Sequence, residues 1–319
     1  MKFIGQKKSP LALVLILAAL AANNAAHAAA TNVYLTQFEH TEGYTNDTDL
    51  VGSGGWISSG SGGNGIVTNF FPGQGQQAYI GYSAPNPGDD QLVVWRPVNY
   101  NPITTGRPLV KFSVLMNVMD SSNTNYDNFR WSVYNTQGDR LFALDFDNYF
   151  TEAGYILDGT NTLVPTGVYF TPGSNYTLNV TMNFASNRWS ATLDNALIAS
   201  NQPITTVGAP LNLGDIDAVW LVFATTAPGN NYLLFDNYQI TADTLPVPLA
   251  QMQFLGRNGS GAMLRVSGNA NSRWAVDATT NLVHWTALKT NTITTTFFDY
   301  TDPAGATLQR RFYRARLAP

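Results

Sequence analysis

Between residues 176 and 197, apolar and polar side chains take turns along the chain. Tyr176, Leu178, Val180, Met182 and Phe184 alternate with Thr177, Asn179, Thr181 and Asn183. A period of two sends the two sets to opposite faces of a strand. Ala185-Ser186-Asn187 supplies a short turn, after which Trp189, Ala191 and Leu193 resume the pattern against Arg188, Ser190, Thr192 and Asp194. The stretch predicts an antiparallel hairpin with one apolar and one wet face. Such a sheet needs a second sheet over its apolar face, so the pattern predicts a β-sandwich.

The rest of the chain supplies more strands of the same kind. Gly, Pro and Asn separate strand candidates at 33–38, 78–82, 92–94, 110–118, 129–135, 141–146, 155–157, 167–170 and 232–240. Residues 218–224, A-V-W-L-V-F-A, are apolar on both faces, as expected of a central strand. Residues 43–65, rich in Gly, Ser and Asn around Trp56, predict a surface loop. No segment beyond the N-terminus holds a helical period, and the number of short strands fits a jelly roll spanning 31–243.

Residues 244–249, T-L-P-V-P-L, carry two prolines at alternate positions and predict an extended linker. Beyond it, strand candidates at 262–266, 274–277, 285–288, 294–299 and 311–317 predict a small second β-sandwich over 250–319. Trp285 and Phe312 are its expected core plugs, with Tyr313 pointing the other way.

Lys2, Lys7 and Lys8, the apolar run at 11–22 and the small-residue site Ala26-His27-Ala28 read as a signal peptide covering 1–28. The apolar run is too short to span a bilayer. The expectation is a secreted chain, extracellular, on the cell surface or in the periplasm, with no membrane span in its mature part.

There are no cysteines, which excludes disulfides and thiolate metal sites. Once His27 leaves with the signal, only His40 and His284 remain, too few for a multi-histidine metal site. Charge is uneven: residues 31–243 hold 18 acidic and 6 basic side chains, whereas residues 247–319 hold 3 acidic and 8 basic. The first part repels nucleic acid; the second is able to attract anions.

The opening Q-F-E-H at 37–40, the Y-x-L-x-V-x-M-x-F hairpin with its W-S-A-T-L, and L-F-D-N-Y-Q-I at 234–240 carry a resemblance. Residues 31–243 resemble the concanavalin A-like lectin/glucanase jelly rolls, including the laminin G-like domains of bacterial secreted proteins. With D-A-T-T-N-L-V-H-W at 277–285 and R-R-F-Y-R at 310–314, residues 250–319 resemble a fibronectin- or immunoglobulin-like C-terminal repeat of such proteins. The resemblance implies carbohydrate binding by the first domain and an accessory role for the second.

The laminarinase-type glycosidases of that fold place Glu-x-Asp-x-x-Glu on one strand. Here the only glutamates are Glu39, Glu42 and Glu152, and none sits in that pattern. The Gln-Ile-His and Arg-x-Glu-x-Arg marks of jelly-roll alginate lyases are absent too. Asp145 and Asp147, at i and i+2, are the remaining paired-carboxylate candidate, about 6.5–7 Å apart on a strand. Alternation on a wet face leading into a turn at Asn148 explains both by itself and outweighs the catalytic reading.

Trp95, Trp131, Tyr134, Tyr149 and Tyr155 are possible sugar-stacking aromatics. Phe129, Trp131 and Val133 share one phase, which assigns Trp131 to the core and leaves Trp95 and Tyr134 as the ligand-binding candidates. First and last strands of a sandwich are often neighbours, so Glu39, Asp236 and Asn237 form a candidate structural Ca²⁺ site, as the resembling carbohydrate-binding modules often have. The expected function is a secreted, non-catalytic glycan-binding or surface-adhesion protein. The alternatives are a glycosidase or lyase using Asp145 and Asp147, and a purely structural envelope protein.

Overall fold

The computed structural model describes residues 30–245, 250–268, 272–308 and 310–318. The expected signal peptide, its cleavage site and residues 246–249 of the expected linker lie outside them. The chain forms two compact units that divide after Leu245.

The first unit holds fifteen strands: β1 (Thr31–Thr36), β2 (Ile57–Gly60), β3 (Asn64–Thr68), β4 (Gln76–Gly81), β5 (Gln91–Trp95), β6 (Leu109–Met119), β7 (Asn128–Tyr134), β8 (Arg140–Asp147), β9 (Glu152–Leu157), β10 (Val164–Tyr169), β11 (Tyr176–Asn183), β12 (Arg188–Leu193), β13 (Ala196–Pro203), β14 (Asp215–Leu221) and β15 (Tyr232–Asp243). One sheet runs β13-β12-β11-β6-β15-β4-β3, with β1 also pairing β15; the other runs β10-β9-β8-β7-β14-β5-β2. All these pairings are antiparallel. The fold is an all-β jelly-roll sandwich. The second unit adds β16 (Gln251–Asn258), β17 (Gly261–Ser267), β18 (Arg273–Thr279), β19 (Thr286–Thr292), β20 (Phe297–Asp302) and β21 (Phe312–Leu317). Its two sheets run β16-β17-β20 and β19-β18-β21. Among the described residues no helix is long and apolar enough to cross a membrane.

The hairpin expected at 176–197 forms β11 and β12, joined by a turn in which Asn187 takes a positive φ. Val180 sits opposite Ala191 on one side and Phe112 on the other, all three buried. A slip of one residue would turn this whole apolar set outward, so the register is tightly held. From the facing sheet, Phe142 stacks on Trp189 with ring centroids 4.1 Å apart.

The apolar part of Q-F-E-H is structural. Phe38 takes a positive φ and is fully buried, its ring against Tyr44, Trp56 and Phe235. Trp56 corrects the expected surface loop: it is fully buried, its Nε1 donates to the Tyr44 hydroxyl at 3.1 Å, and β2 and β3 follow it. One large ring anchors a segment whose other residues are too small and polar to show a period.

In the second unit the buried plug is Trp274, packed with Leu264, Val266, Val276, Ile293 and Phe298. Trp285 is only half-buried, and Tyr313 rather than Phe312 packs against the core. The expected phase of the last strand is thus reversed. β13, without strict alternation, and β16, where Met252 and Phe254 alternate with Gln251 and Gln253 only briefly, are strands outside those expected.

Candidate functional site

Along β7, Phe129, Trp131 and Val133 point into the sandwich core, so Asn128, Arg130, Ser132 and Tyr134 face outward. The same alternation on β14 buries Ile216, Ala218 and Trp220 in the core and turns Asp215, Asp217, Val219 and Leu221 outward. On β5, Leu92 and Val94 face the core, and Trp95 faces out. Trp131 thus takes the core position that its alternation assigns.

The register assembles a site on this outer face. Tyr134 pairs with Asp215, and Ser132 with Asp217. Ala218 pairs with Val94 on the other flank, so the next position along puts Trp95 beside Asp217. The two ligand-binding candidates, Trp95 and Tyr134, are both half-buried and flank one pair of carboxyls. The sequence reading had missed Asp215 and Asp217. Their spacing repeats that of Asp145 and Asp147, but the apolar run that follows them drew the strand's start to Ala218.

Asp217 is 5% exposed; its Oδ1 receives no N–H or neutral hydroxyl from the protein, and its carboxyl is hydrogen-bonded to that of Asp215. Burial and the neighbouring Asp215 push the Asp217 carboxyl well above the usual carboxylate range; burial also raises Asp215. Two such carboxyls at close range hold one proton between them at neutral pH. Tyr134 is raised by burial and by the charge of Asp217. The result is a polar, protonated centre framed by two aromatic rings on an otherwise regular sheet face.

Asp145 and Asp147 share a face, as expected, but each has structural partners. Asp145 is buried and accepts from Arg130 Nε at 2.9 Å and Nη2 at 2.7 Å, and from Asn128 Nδ2 at 3.1 Å. Burial raises its pKa against the lowering effect of Arg130. Asp147 Oδ1 accepts the backbone N–H groups of Tyr149 and Phe150, both at 2.9 Å, which shapes the turn into β9. Opposite it lies Glu152, whose Oε1 accepts the N–H groups of Thr166 and Gly167. Tyr149 is exposed on that turn, whereas Tyr155 packs edge-on against Trp189.

The calcium candidates meet because β1 pairs with the second half of β15. Asp236 is buried at a register shift before Gln239, with Oδ1 accepting the N–H of Asn237 and Oδ2 unpartnered. Burial is the main reason its carboxyl rises to about 7, and the charge of Glu39 adds to this. Glu39 Oε1 accepts the Gln76 N–H, its carboxylate filling the space where any side chain at Gly75, φ +74°, would collide. The Asn237 amide is occupied at both ends, by Gln37 and Gln74. Ca²⁺ takes about six to eight oxygens, and among the described residues no group of three or more His, Asp or Glu is placed to hold a metal. The free Asp236 oxygen suits a cation, but the rest of the donor set falls short.

No family model matches the chain, and no curated protein matches it. Solved structures resemble it at low identity. A sialidase aligns with 61% of the chain at TM-score 0.43 and 10% identity, and the chain spans only 18% of that protein. A carbohydrate esterase from the Shiga toxin-encoding bacteriophage phi24B aligns over 68% of this chain and all of its own length, at TM-score 0.46 and 14% identity. A Bacillus subtilis protein of unknown function with a galectin-like fold covers the same shares at TM-score 0.44 and 8% identity. Likenesses this distant say nothing about chemistry, and the fold rests on the chain's own strand order.

Proposed function

We propose that the chain is a secreted, non-catalytic glycan-binding protein acting at a cell or envelope surface, with its sugar site on the outer face of β5, β14 and β7. The observation that carries this is the buried Asp215–Asp217 carboxyl pair framed by Trp95 and Tyr134, in which Asp217 Oδ1 receives no N–H or neutral hydroxyl from the protein. Where the shared proton satisfies one oxygen of such a pair, a further buried acceptor that receives no donor costs about 1–3 kcal/mol. A sugar hydroxyl removes that cost, while flat rings cover the apolar C–H face of a pyranose. The signal-peptide pattern at 1–28 supports export. The hydrolase or lyase reading has less behind it, because Asp145 is held by Arg130 and Asp147 shapes a turn.

A glycan array probed with the full mature chain, and with Trp95→Ala, Tyr134→Ala and Asp217→Asn, tests the proposal. The expected result is binding to a defined set of glycans that each variant weakens, with no variant melting below the parent and Asp217→Asn melting above it at neutral pH. Unchanged binding in all three variants would move the site elsewhere. Release of reducing sugar that Asp145→Asn with Asp147→Asn abolishes would replace the proposal with the catalytic one.

A further inference from the structure

We propose a second ligand site, in the C-terminal unit, where Arg314 and Arg316 form a clamp for the carboxylate of an acidic polysaccharide. It is separate from the site on the first unit and does not depend on it.

On β21, Tyr313 and Ala315 pack against the core, which turns Phe312, Arg314 and Arg316 to the outer face of the sheet. Arg314 sits opposite Asp277 on β18, and Arg316 one pair further along, opposite Ala275. Both guanidinium groups bond the same oxygen: Nε of Arg314 lies 3.1 Å, and Nε of Arg316 2.9 Å, from Asp277 Oδ2. The two Nε atoms are therefore no more than about 6 Å apart. Asp277 is 2% exposed, whereas the side chains of Arg314 and Arg316 are 32% and 39% exposed.

Each arginine is anchored through Nε, and among the described residues its terminal amino groups have no hydrogen-bond partner. Arg314 also lies over the ring of Trp285, 4.4 Å from its centroid. The Asp277 anchor holds both forks, and stacking adds to it for Arg314, so rotamer freedom is already reduced before a ligand arrives. A planar carboxylate matches guanidinium geometry two bonds at a time.

The charge balance singles out this place. The unit holds three carboxylates. Asp299 pairs with Arg265, and Asp302 with Arg311. Among the ion pairs of the described residues Asp277 serves two cations, so local positive charge exceeds negative there. One prepaired clamp suits anionic groups set on separate sugar rings, whereas nucleic acid needs a longer track of cationic contacts.

The test is calorimetric titration of the full chain with oligogalacturonate, with neutral malto-oligosaccharide and single-stranded DNA as comparisons. Oligogalacturonate is expected to bind and the comparison ligands to bind at least about tenfold more weakly. Arg314→Gln and Arg316→Gln should each lower affinity about tenfold or more, and Lys289→Gln, which removes an exposed cation elsewhere on the same unit, should leave it unchanged. Arg314→Lys keeps the charge but not the fork, and a clamp predicts that it fails as Gln does. Near-UV circular dichroism of each variant checks that the unit is folded; Arg316→Lys gives an independent reading if an Arg314 variant is not. DNA binding of equal strength, full binding by the lysine variants, or no binding of oligogalacturonate would overturn the proposal.

Discussion

Asp145 receives Nε and Nη2 of Arg130 on one carboxylate oxygen, 2% exposed beneath a guanidinium that is 18% exposed. The two residues are direct cross-strand partners of β7 and β8, so the sheet register itself sets the geometry. Breaking a buried pair by removing one partner costs about 3–5 kcal/mol, because a charge stays behind in a poor solvent. Arg130→Met should therefore lower the denaturant midpoint strongly. Arg130→Met with Asp145→Asn should recover much of the loss. Equal midpoints for the two would show that the pair is not coupled.

Asp236 predicts a pH dependence of a definite sign. A carboxyl with a pKa near 7 when folded and about 4 when unfolded binds its proton more tightly in the fold. Its contribution then weakens stability as pH rises from about 4 to about 7, by at most about 4 kcal/mol in total. Asp236→Asn should melt like the parent at pH 3, below the unfolded pKa, and higher than the parent at pH 8. A calcium ion held by Glu39, Asp236 and Asn237 predicts the opposite at pH 8: melting that rises with Ca²⁺ in the parent and falls in the variant. Thermal melts at both pH values, with Ca²⁺ or a chelator, separate the two.

Asp158 behaves the other way. Burial by itself raises its pKa, but Thr205 Oγ1, Thr206 Oγ1 and the N–H groups of Thr206 and Val207 all donate to it and bring it below the usual carboxylate range. A depressed pKa adds stability that is present above about pH 4 and is lost as pH falls below it. Asp158→Asn should lower the melting temperature at pH 7, and the gap to the parent should close toward pH 3. A gap independent of pH would mean that the side chain acts by shape alone.

The legible parts of the sequence are those where one physical demand sets several residues in a row. The alternation of Tyr176–Phe184 forms β11, and Phe129, Trp131 and Val133 share the core face expected of them. Trp56 and the strands after it were illegible because a single buried ring among small polar residues has no period. Asp215 and Asp217 were hidden for a different reason: the apolar residues that follow them dominate the strand signal. Trp95 and Tyr134 were visible singly by phase, but only strand order brings them to one carboxyl pair. Cross-strand neighbours separated by about 80 to 120 residues leave no trace in local spacing.

The two tryptophans of the C-terminal unit make opposite predictions, and the expected roles are exchanged. Trp274 is 5% exposed, packs on Leu264, Val266 and Val276, and donates Nε1 to Ser272 Oγ at 2.8 Å. Trp285 is half-buried under Arg314 on the outer face. Removing a buried tryptophan costs about 3–5 kcal/mol, which is about the whole stability that a core of this size supplies. Trp274→Ala should therefore unfold the unit, seen as rapid proteolysis of residues beyond 250 while the jelly roll persists. Trp285→Ala should leave the unit resistant to protease. If Trp285→Ala is the variant that is digested, the last strand has the phase that sequence alone suggests, and the arginine clamp on its outer face falls with it.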